Sequence, residues 1–231
     1  MNPAQPFFGL QALGVDGFSQ PHGSIDEMAR AYLAEIRDAI PDGPYLFGGY
    51  SAGGIVAYEM ARILTLAGER VALLALIDTM HPRAPVRRTG VGVRLDRLRR
   101  EGMAYVIEAW ERRRRDWTIR EDLRKVERHI ARGETIPFAL RNAHLVRNFR
   151  RIAGAYEPKP WPGRATLFRA ETIGYLYRDA GPTYGWDREV LGGVEVVAMP
   201  GDHHTLLLGK NAEPLARALD AAIERATPSL S

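Results

Sequence analysis

The sequence predicts an α/β fold, a mostly parallel sheet flanked by helices and broken by one helical insertion. Three observations carry this expectation. Short apolar runs, "YLFGG", "VALLALID", "RATLFRA" and "VEVVAMP", lack the alternation of a one-sided strand and read as strands buried on both faces, the habit of parallel sheets. Stretches with helical spacing separate them, and alternating strand and helix builds an open α/β sheet. The third observation is charge. Between residues 83 and 151 there are 20 Lys+Arg against 9 Asp+Glu, while the rest of the chain carries 12 against 19, so a basic block interrupts a more acidic frame. With 231 residues, 45% of them hydrophobic, the chain can bury one full core; a single domain over 1–231 is expected, with the insertion at about 83–151.

In chain order, "PFFGL" (Pro6 to Leu10) reads as a short buried strand running into the turn-rich "GVDGFSQPHGS". Ser24 with Glu27 three residues on is a capping-box signature. Met28, Tyr32, Leu33, Ile36 and Ile40 then recur at helical spacing until Pro41 and Gly43 stop the pattern. "PYLFGG" is the next strand. Past Ser51, the residues Ile55, Val56, Tyr58, Met60, Ile63, Leu64 and Leu66 make a mostly apolar helix that Gly68 ends. "VALLALID" is a strand again. The basic block follows, with "ERRRRDW" at Glu111 to Trp117 and several helix-like stretches but few strand signals. The sheet pattern resumes at Arg164 to Ala170 and Val194 to Pro200, and a terminal helix runs from about Ala212 to Arg225.

Composition narrows the chemistry. Without cysteine there are no disulfides, thiolate metal sites or cysteine nucleophiles, so catalysis must use oxygen or nitrogen groups. "MNPAQPFFGLQALG" has neither the charged nor the apolar region of a secretory signal, and no apolar run approaches the roughly 18 residues of a spanning helix. A soluble, cytoplasmic protein is expected, with no membrane or nucleic-acid partner.

The chemistry centres on Gly49-Tyr50-Ser51-Ala52-Gly53, a G-x-S-x-G match. The bare motif is weak; its context is stronger. An apolar strand ends directly before it and an apolar helix begins directly after it, the strand-turn-helix setting of a nucleophile elbow. There the flanking glycines are expected to relieve crowding, and the hydroxyl stands at the positive end of the following helix. A phosphate-binding loop fits poorly, because no Lys-Ser or Lys-Thr pair follows and the glycine spacing is not G-x-G-x-x-G. A plain turn with Ser51 as helix N-cap is the structural alternative. A serine nucleophile needs a base and an acid that orients it. His203 and His204 lie in "MPGDHHTLL", just past the last apolar strand, and Asp78 ends the strand after the elbow helix. The order Ser, Asp, His is that of α/β-hydrolases. Glu171, after the strand "RATLFRA", is the alternative acid. Asp78 is preferred, partly because a carboxylate closing a fully apolar strand is costly without a partner.

Together "FFGLQALGVDG", "SIDEMARAYLAEI", "GPYLFGGYSAGGIVAYEMARIL", "LLALIDTMHP", "YEPKPWPGRATLFRAE" and "GWDREVLGGVEVVAMPGDHHTLL" resemble, in order and over most of the chain, the type I thioesterase domains that end nonribosomal peptide and polyketide synthases. The resemblance implies an α/β-hydrolase fold with a helical lid. It also implies an acyl chain received from the phosphopantetheine thiol of an acyl or peptidyl carrier protein and released by hydrolysis or cyclisation. It assigns the nucleophile to Ser51, the acid to Asp78, the base to His203, which follows Gly-Asp, and an oxyanion-hole N–H to Ala52. His204 stands where the family usually has an apolar or aromatic residue. No metal or bound cofactor is implied, since phosphopantetheine arrives on the substrate. Such domains normally carry an earlier strand, a glycine-containing loop and a helix ahead of the equivalent of "PFFGL". This sequence starts too late to hold them, which reads as a truncated domain or a misassigned start. The loop normally gives the second oxyanion donor. The strand would lie between "FFGL" and "YLFGG", so exposed or rearranged ladder groups are expected there. Two other readings share the elbow: a stand-alone editing thioesterase or general esterase, and an inert carrier-binding module. The basic block is either a solvated lid surface or, against the acidic, phosphate-bearing carriers the resemblance implies, a docking face.

Overall fold

A computed structural model of the chain describes residues 5–85, 95, 98–100, 102–174 and 177–227. They fall into two compact units, one of Met1–Leu10, Gly23–Arg87 and Ala153–Ser231, the other of Gln11–His22 and Arg88–Ile152.

The first unit is a parallel sheet in the order β1-β2-β3-β4, built from β1 (Tyr45–Tyr50), β2 (Val71–Ile77), β3 (Ala165–Thr172) and β4 (Val194–Asp202). Spatial order follows chain order, and each parallel step needs a crossover. The first crossover is α2 (Ala52–Leu66). Alternation along each strand divides the side chains between two layers. Phe47, Gly49, Leu74 and Leu76 face α2, against which α1 (Ile25–Ala39) packs. Leu46, Leu73, Ala75 and Phe168 belong to the cluster that includes Leu215 and Ala222 of the terminal helix, Ala212–Ala226. Both faces are covered over β2 and the first half of β3, which is why those strands read as continuous apolar runs; β4, expected to be buried on both faces, is instead mostly part-exposed, with Met199 its buried residue.

Helix α1 starts where its cap residues say. The Ser24 hydroxyl accepts the Glu27 N–H at 3.0 Å, and the Glu27 carboxylate reaches back to the Gly23 N–H at 2.7 Å. Ile25, Met28, Ala29, Tyr32 and Leu33 are its buried stripe. On α2 the buried Glu59 is fully partnered. Arg62 forks onto both carboxylate oxygens at 2.9 and 2.6 Å, and the Tyr156 hydroxyl donates at 2.6 Å. A buried carboxylate is tolerable only with such partners.

One expected strand is not there. Pro6 to Leu10 forms no strand, and Phe7 and Phe8 are 69% and 64% exposed. Among the described residues β1 ends the sheet, pairing with β2 alone, and Gly48 on it is exposed. A strand needs a ladder partner for its N–H and C=O groups, and among the described residues Pro6 to Leu10 has none, despite its apolar side chains.

The second unit is helical. It contains α3 (Met103–Ala131) and most of α4 (Phe138–Ala155), around a small core of Val126, Ile136 and Leu140. The loop at 11–22 belongs to it: the Ile136 N–H donates to Gly17 at 2.9 Å, and Arg141 bridges the carbonyls of Ile136 and Val15 at 3.1 and 3.0 Å. Trp110 and Trp117 on α3 are exposed, with the Arg114 guanidinium 5.6 Å from the Trp110 ring. Of the arginine run, the side chains of Arg112 and Arg115 lie outside the described residues. Among the described residues no helix is long and apolar enough to cross a membrane.

Candidate active site

The three residues assigned as nucleophile, acid and base each follow a strand. Ser51 follows β1, Asp78 follows β2 and His203 follows β4, and because the sheet is parallel all three lie along its carboxyl edge. One residue makes the turn between β1 and α2. Ser51 takes φ 51° and ψ −116°, a region that ordinary side chains avoid. Its N–H donates to Ile77 at 2.9 Å and its carbonyl accepts the Gly54 N–H at 3.2 Å, so the turn is pinned from both sides. The hydroxyl makes no capping bond to α2, unlike that of Ser24 on α1. Ser51 thus stands at the N-cap position of α2 without the side-chain bond that a capping serine makes.

The glycines around it do different work from one another. A Cβ on Gly49 would stand 2.3 Å from the Gly53 carbonyl carbon, and one on Gly54 would stand 2.0 Å from the Thr79 hydroxyl. A Cβ on Gly53 would meet nothing within 4 Å. Relief of crowding, expected of both motif glycines, holds at Gly49. On the helix side it falls to Gly54, because Gly53 points away from the sheet. Ala52 opens α2, so its N–H lies ahead of the helix's own hydrogen-bond ladder, at the positive end of the dipole.

Asp78 is buried, and its charge is matched on every side. Oδ1 accepts the Ala170 N–H at 2.9 Å and the Tyr184 hydroxyl at 3.1 Å, while Oδ2 accepts from His203 Nδ1 at 2.7 Å. Burial pushes the carboxyl pKa up, but the hydrogen bonds from His203, Ala170 and Tyr184 outweigh it and hold the group below the usual aspartate value. With Nδ1 engaged as donor, the neutral imidazole keeps Nε2 free to accept a proton. Tyr50 supports the ring from its face, stacked at 5.0 Å and 22°, and its hydroxyl donates to the main-chain carbonyl of His203.

His204 is exposed and edge-on to His203 at 5.4 Å, its N–H held by Asp202 at 2.8 Å. The structure thus puts His203, not its neighbour, on the carboxylate. Glu171 is exposed near the end of β3, while the residue before it, Ala170, gives its N–H to Asp78.

Two residues at the site were not singled out from the sequence. Tyr50 sits inside the motif itself. Tyr184 lies between glycines in "GPTYGW", but nothing in that string marks where its hydroxyl goes. Beside it, Trp186 donates its indole N–H to the Thr79 carbonyl at 2.9 Å, and the Thr79 hydroxyl donates to Gly49 at 3.1 Å, joining this segment to the elbow.

Chemically, the arrangement offers a hydroxyl in a strained turn, an imidazole oriented by a buried carboxylate, and a helix N-terminus. These are the parts that acyl transfer through a serine requires.

The chain matches the thioesterase domain family over residues 2–223. It is 32% identical over 210 residues to the non-reducing polyketide synthase ntnG of Nectria sp, covering 87% of this chain and 10% of the synthase. It is 29% identical over 226 residues to a dimodular nonribosomal peptide synthase of Bacillus subtilis, covering 92% of this chain and 9% of that protein. Among solved structures, the NocB thioesterase domain in covalent complex with a fluorophosphonate nocardicin G analog superposes with a TM-score of 0.58 at 29% identity, over 87% of this chain and 76% of that one. The chain spans about a tenth or less of the length of the curated relatives it matches.

Proposed function

The chain belongs to the family of thioesterase domains, serine hydrolases of the α/β-hydrolase fold, and from that premise we propose that it releases an acyl, peptidyl or polyketide chain from the phosphopantetheine thiol of a carrier protein. The observation that carries the reading is the 2.7 Å bond from His203 Nδ1 to the buried Asp78, one strand over from a serine held in an uncapped, positive-φ turn. The context comes from the relatives, which are polyketide and nonribosomal peptide synthases.

In this mechanism Nε2 of His203 takes the Ser51 proton as Oγ attacks the thioester carbonyl. Asp78 Oδ2 keeps the Nδ1–H in place and stabilises the imidazolium that forms. The oxyanion accepts the Ala52 N–H, where the helix dipole favours negative charge. Collapse breaks the C–S bond, His203 returns the proton to the sulfur, and the thiol departs with the carrier. The acyl group remains as an ester on Ser51. His203 then deprotonates water, or a hydroxyl or amine of the bound chain, whose attack frees the acid or the ring and returns the proton to Ser51. Oxygen and nitrogen groups of the chain carry every step, and the phosphopantetheine enters and leaves with the carrier.

Intact-mass analysis of the protein with an acylated carrier tests this. The wild type is expected to show an acyl adduct on Ser51, and Ser51→Ala none; an adduct that survives in the variant would remove Ser51 from its role. Equal turnover of simple esters and carrier-bound thioesters would indicate a general esterase. Failure to react with a serine-directed phosphonate would indicate an inert carrier-binding module.

A further inference from the structure

We infer that Tyr184 is a positioning residue of this hydrolase, holding Asp78 so that a single carboxylate oxygen is presented to His203. The inference rests on the reading of Ser51, Asp78 and His203 as the reacting set, and adds a fourth residue to it.

The geometry is specific. A carboxylate can rotate about its Cβ–Cγ bond, and an orienting acid works only if one oxygen stays fixed on the imidazole N–H. In Asp78 both lone-pair directions of Oδ1 are occupied by protein donors, the Ala170 N–H at 2.9 Å and the Tyr184 O–H at 3.1 Å. Rotation would break both, so Oδ2 is left for His203 at 2.7 Å. One donor is main chain within a central strand. The other is the side chain of a residue far along the sequence, and that one can be removed without disturbing the sheet.

Tyr184 is itself held in place by several independent contacts. Its carbonyl accepts the His81 N–H at 3.1 Å, its ring lies 5.7 Å from the Arg169 guanidinium, and Trp186 two residues on bonds to Thr79 at 2.9 Å. His81 and Trp186 also meet edge to face at 4.9 Å. The segment is therefore clamped onto the loop that carries Asp78.

Backbone strain points the same way. Among the described residues the non-glycine positions with positive φ are Ser51 (51°), Asp78 (43°) and Tyr184 (53°). Such conformations cost of the order of 1–3 kcal/mol each and persist where surrounding structure enforces them, commonly at functional sites. Tyr184 shares this condition with two of the reacting residues and bonds directly to one of them. Burial, and then the charge of Asp78, push its phenol pKa well up, so the hydroxyl stays protonated and donates throughout the working pH range.

The role makes a signed prediction. Removing the donor concentrates negative charge on Asp78, which stabilises the His203 imidazolium. The acid limb of kcat/KM, which requires neutral imidazole, then moves to higher pH. Tyr184→Phe keeps the ring and deletes one O–H. It is expected to lower kcat about tenfold, the low end for a hydrogen bond to a charged group, with KM unchanged and the limb raised by about half a pH unit. A tyrosine that merely fills space would change the melting temperature and leave the pH profile where it was.

A second arm covers a Phe variant that folds poorly: 3-fluorotyrosine placed at position 184 keeps ring and hydroxyl but donates more strongly, and is expected to move the limb to lower pH. Asp78→Asn completes the cycle. In that background Tyr184→Phe should cost nothing further, because the group it acts through has lost its charge. Wild-type kcat and an unmoved limb in both Tyr184 variants, with Asp78→Asn still crippled, would overturn the positioning role and leave the triad standing. Full activity of Asp78→Asn would instead overturn the triad reading on which the role rests.

Discussion

The sheet unit and the helical unit solve different problems. In the first, Leu74, Leu76, Leu167 and Phe168 have no exposed surface. In the second, the 29-residue α3 leaves Trp110 and Trp117 61% and 66% exposed, and the core is the small cluster around Val126. The difference is one of what each unit can enforce. Fully burying a large apolar side chain contributes about 1.5–3 kcal/mol, and a close-packed interior resists local rearrangement. That is the setting in which Ser51, Asp78 and Tyr184 can be kept in backbone conformations they would not choose, and all three lie in the sheet unit. Among the described residues the helical unit holds no non-glycine residue at positive φ. Its distinctive property is charge, 18 basic against 10 acidic residues over residues 11–22 and 88–152.

If the chemistry belongs to the sheet unit alone, the largest effects come from its carboxyl edge. Asp78→Asn is expected to lower turnover by about 10⁴, as loss of the orienting acid does in serine triads, while Glu171→Gln leaves it within about twofold. His203→Ala should be comparably damaging and His204→Ala mild, since only the first ring bonds to Asp78. Steady-state rates of the four variants check this; a ranking led by Glu171 or His204 would move the chemistry to different side chains.

Stability sharpens the same contrast. Leu76→Ala, in a fully covered strand, should destabilise the protein by about 2–5 kcal/mol, and Trp117→Ala on the exposed face of α3 by about 0.5 kcal/mol or less. Denaturant midpoints of the two variants measure it. A large loss at Trp117 would mean that this tryptophan carries packing that its exposure does not suggest.

The smallest expected effect belongs to the basic surface. Arg113 and Arg114 are exposed on α3. If this face steers an acidic carrier, Arg113→Gln with Arg114→Gln should raise the KM for carrier-bound substrate about threefold at low salt. A small thioester without phosphate should be unaffected, and the difference should fade as ionic strength shortens the screening length to about 8 Å. Equal change on both substrates, or no dependence on salt, would return the arginines to a solvated surface.

Much of the frame was legible because it is written in short-range patterns. The Ser24 cap, the apolar stripe of α1, the abrupt halt at Gly68 and the unbroken apolar run of β2 each follow from neighbours within a few residues. The elbow was legible for the same reason, as a strand, one serine and a helix in immediate succession. "PFFGL" shows the limit. Its residues have strand character, but a strand exists only where another backbone takes its hydrogen bonds, and no local pattern reports that.

The sequence by itself determined the order of strands and helices, the elbow and the candidates Ser51, Asp78 and His203, because hydrophobic period and turn chemistry are local properties. Only the tertiary structure decided which glycines the elbow cannot lose, and that Tyr50 and Tyr184 hold the imidazole and its acid. Those contacts join residues 106 positions apart, as from Tyr184 to Asp78, or 153 apart, as from Tyr50 to His203. Hydrogen bonds of that span are set by where the parallel crossovers return the chain to one edge of the sheet, and that placement is fixed by packing against α2 and the terminal helix, not by any stretch of sequence read alone.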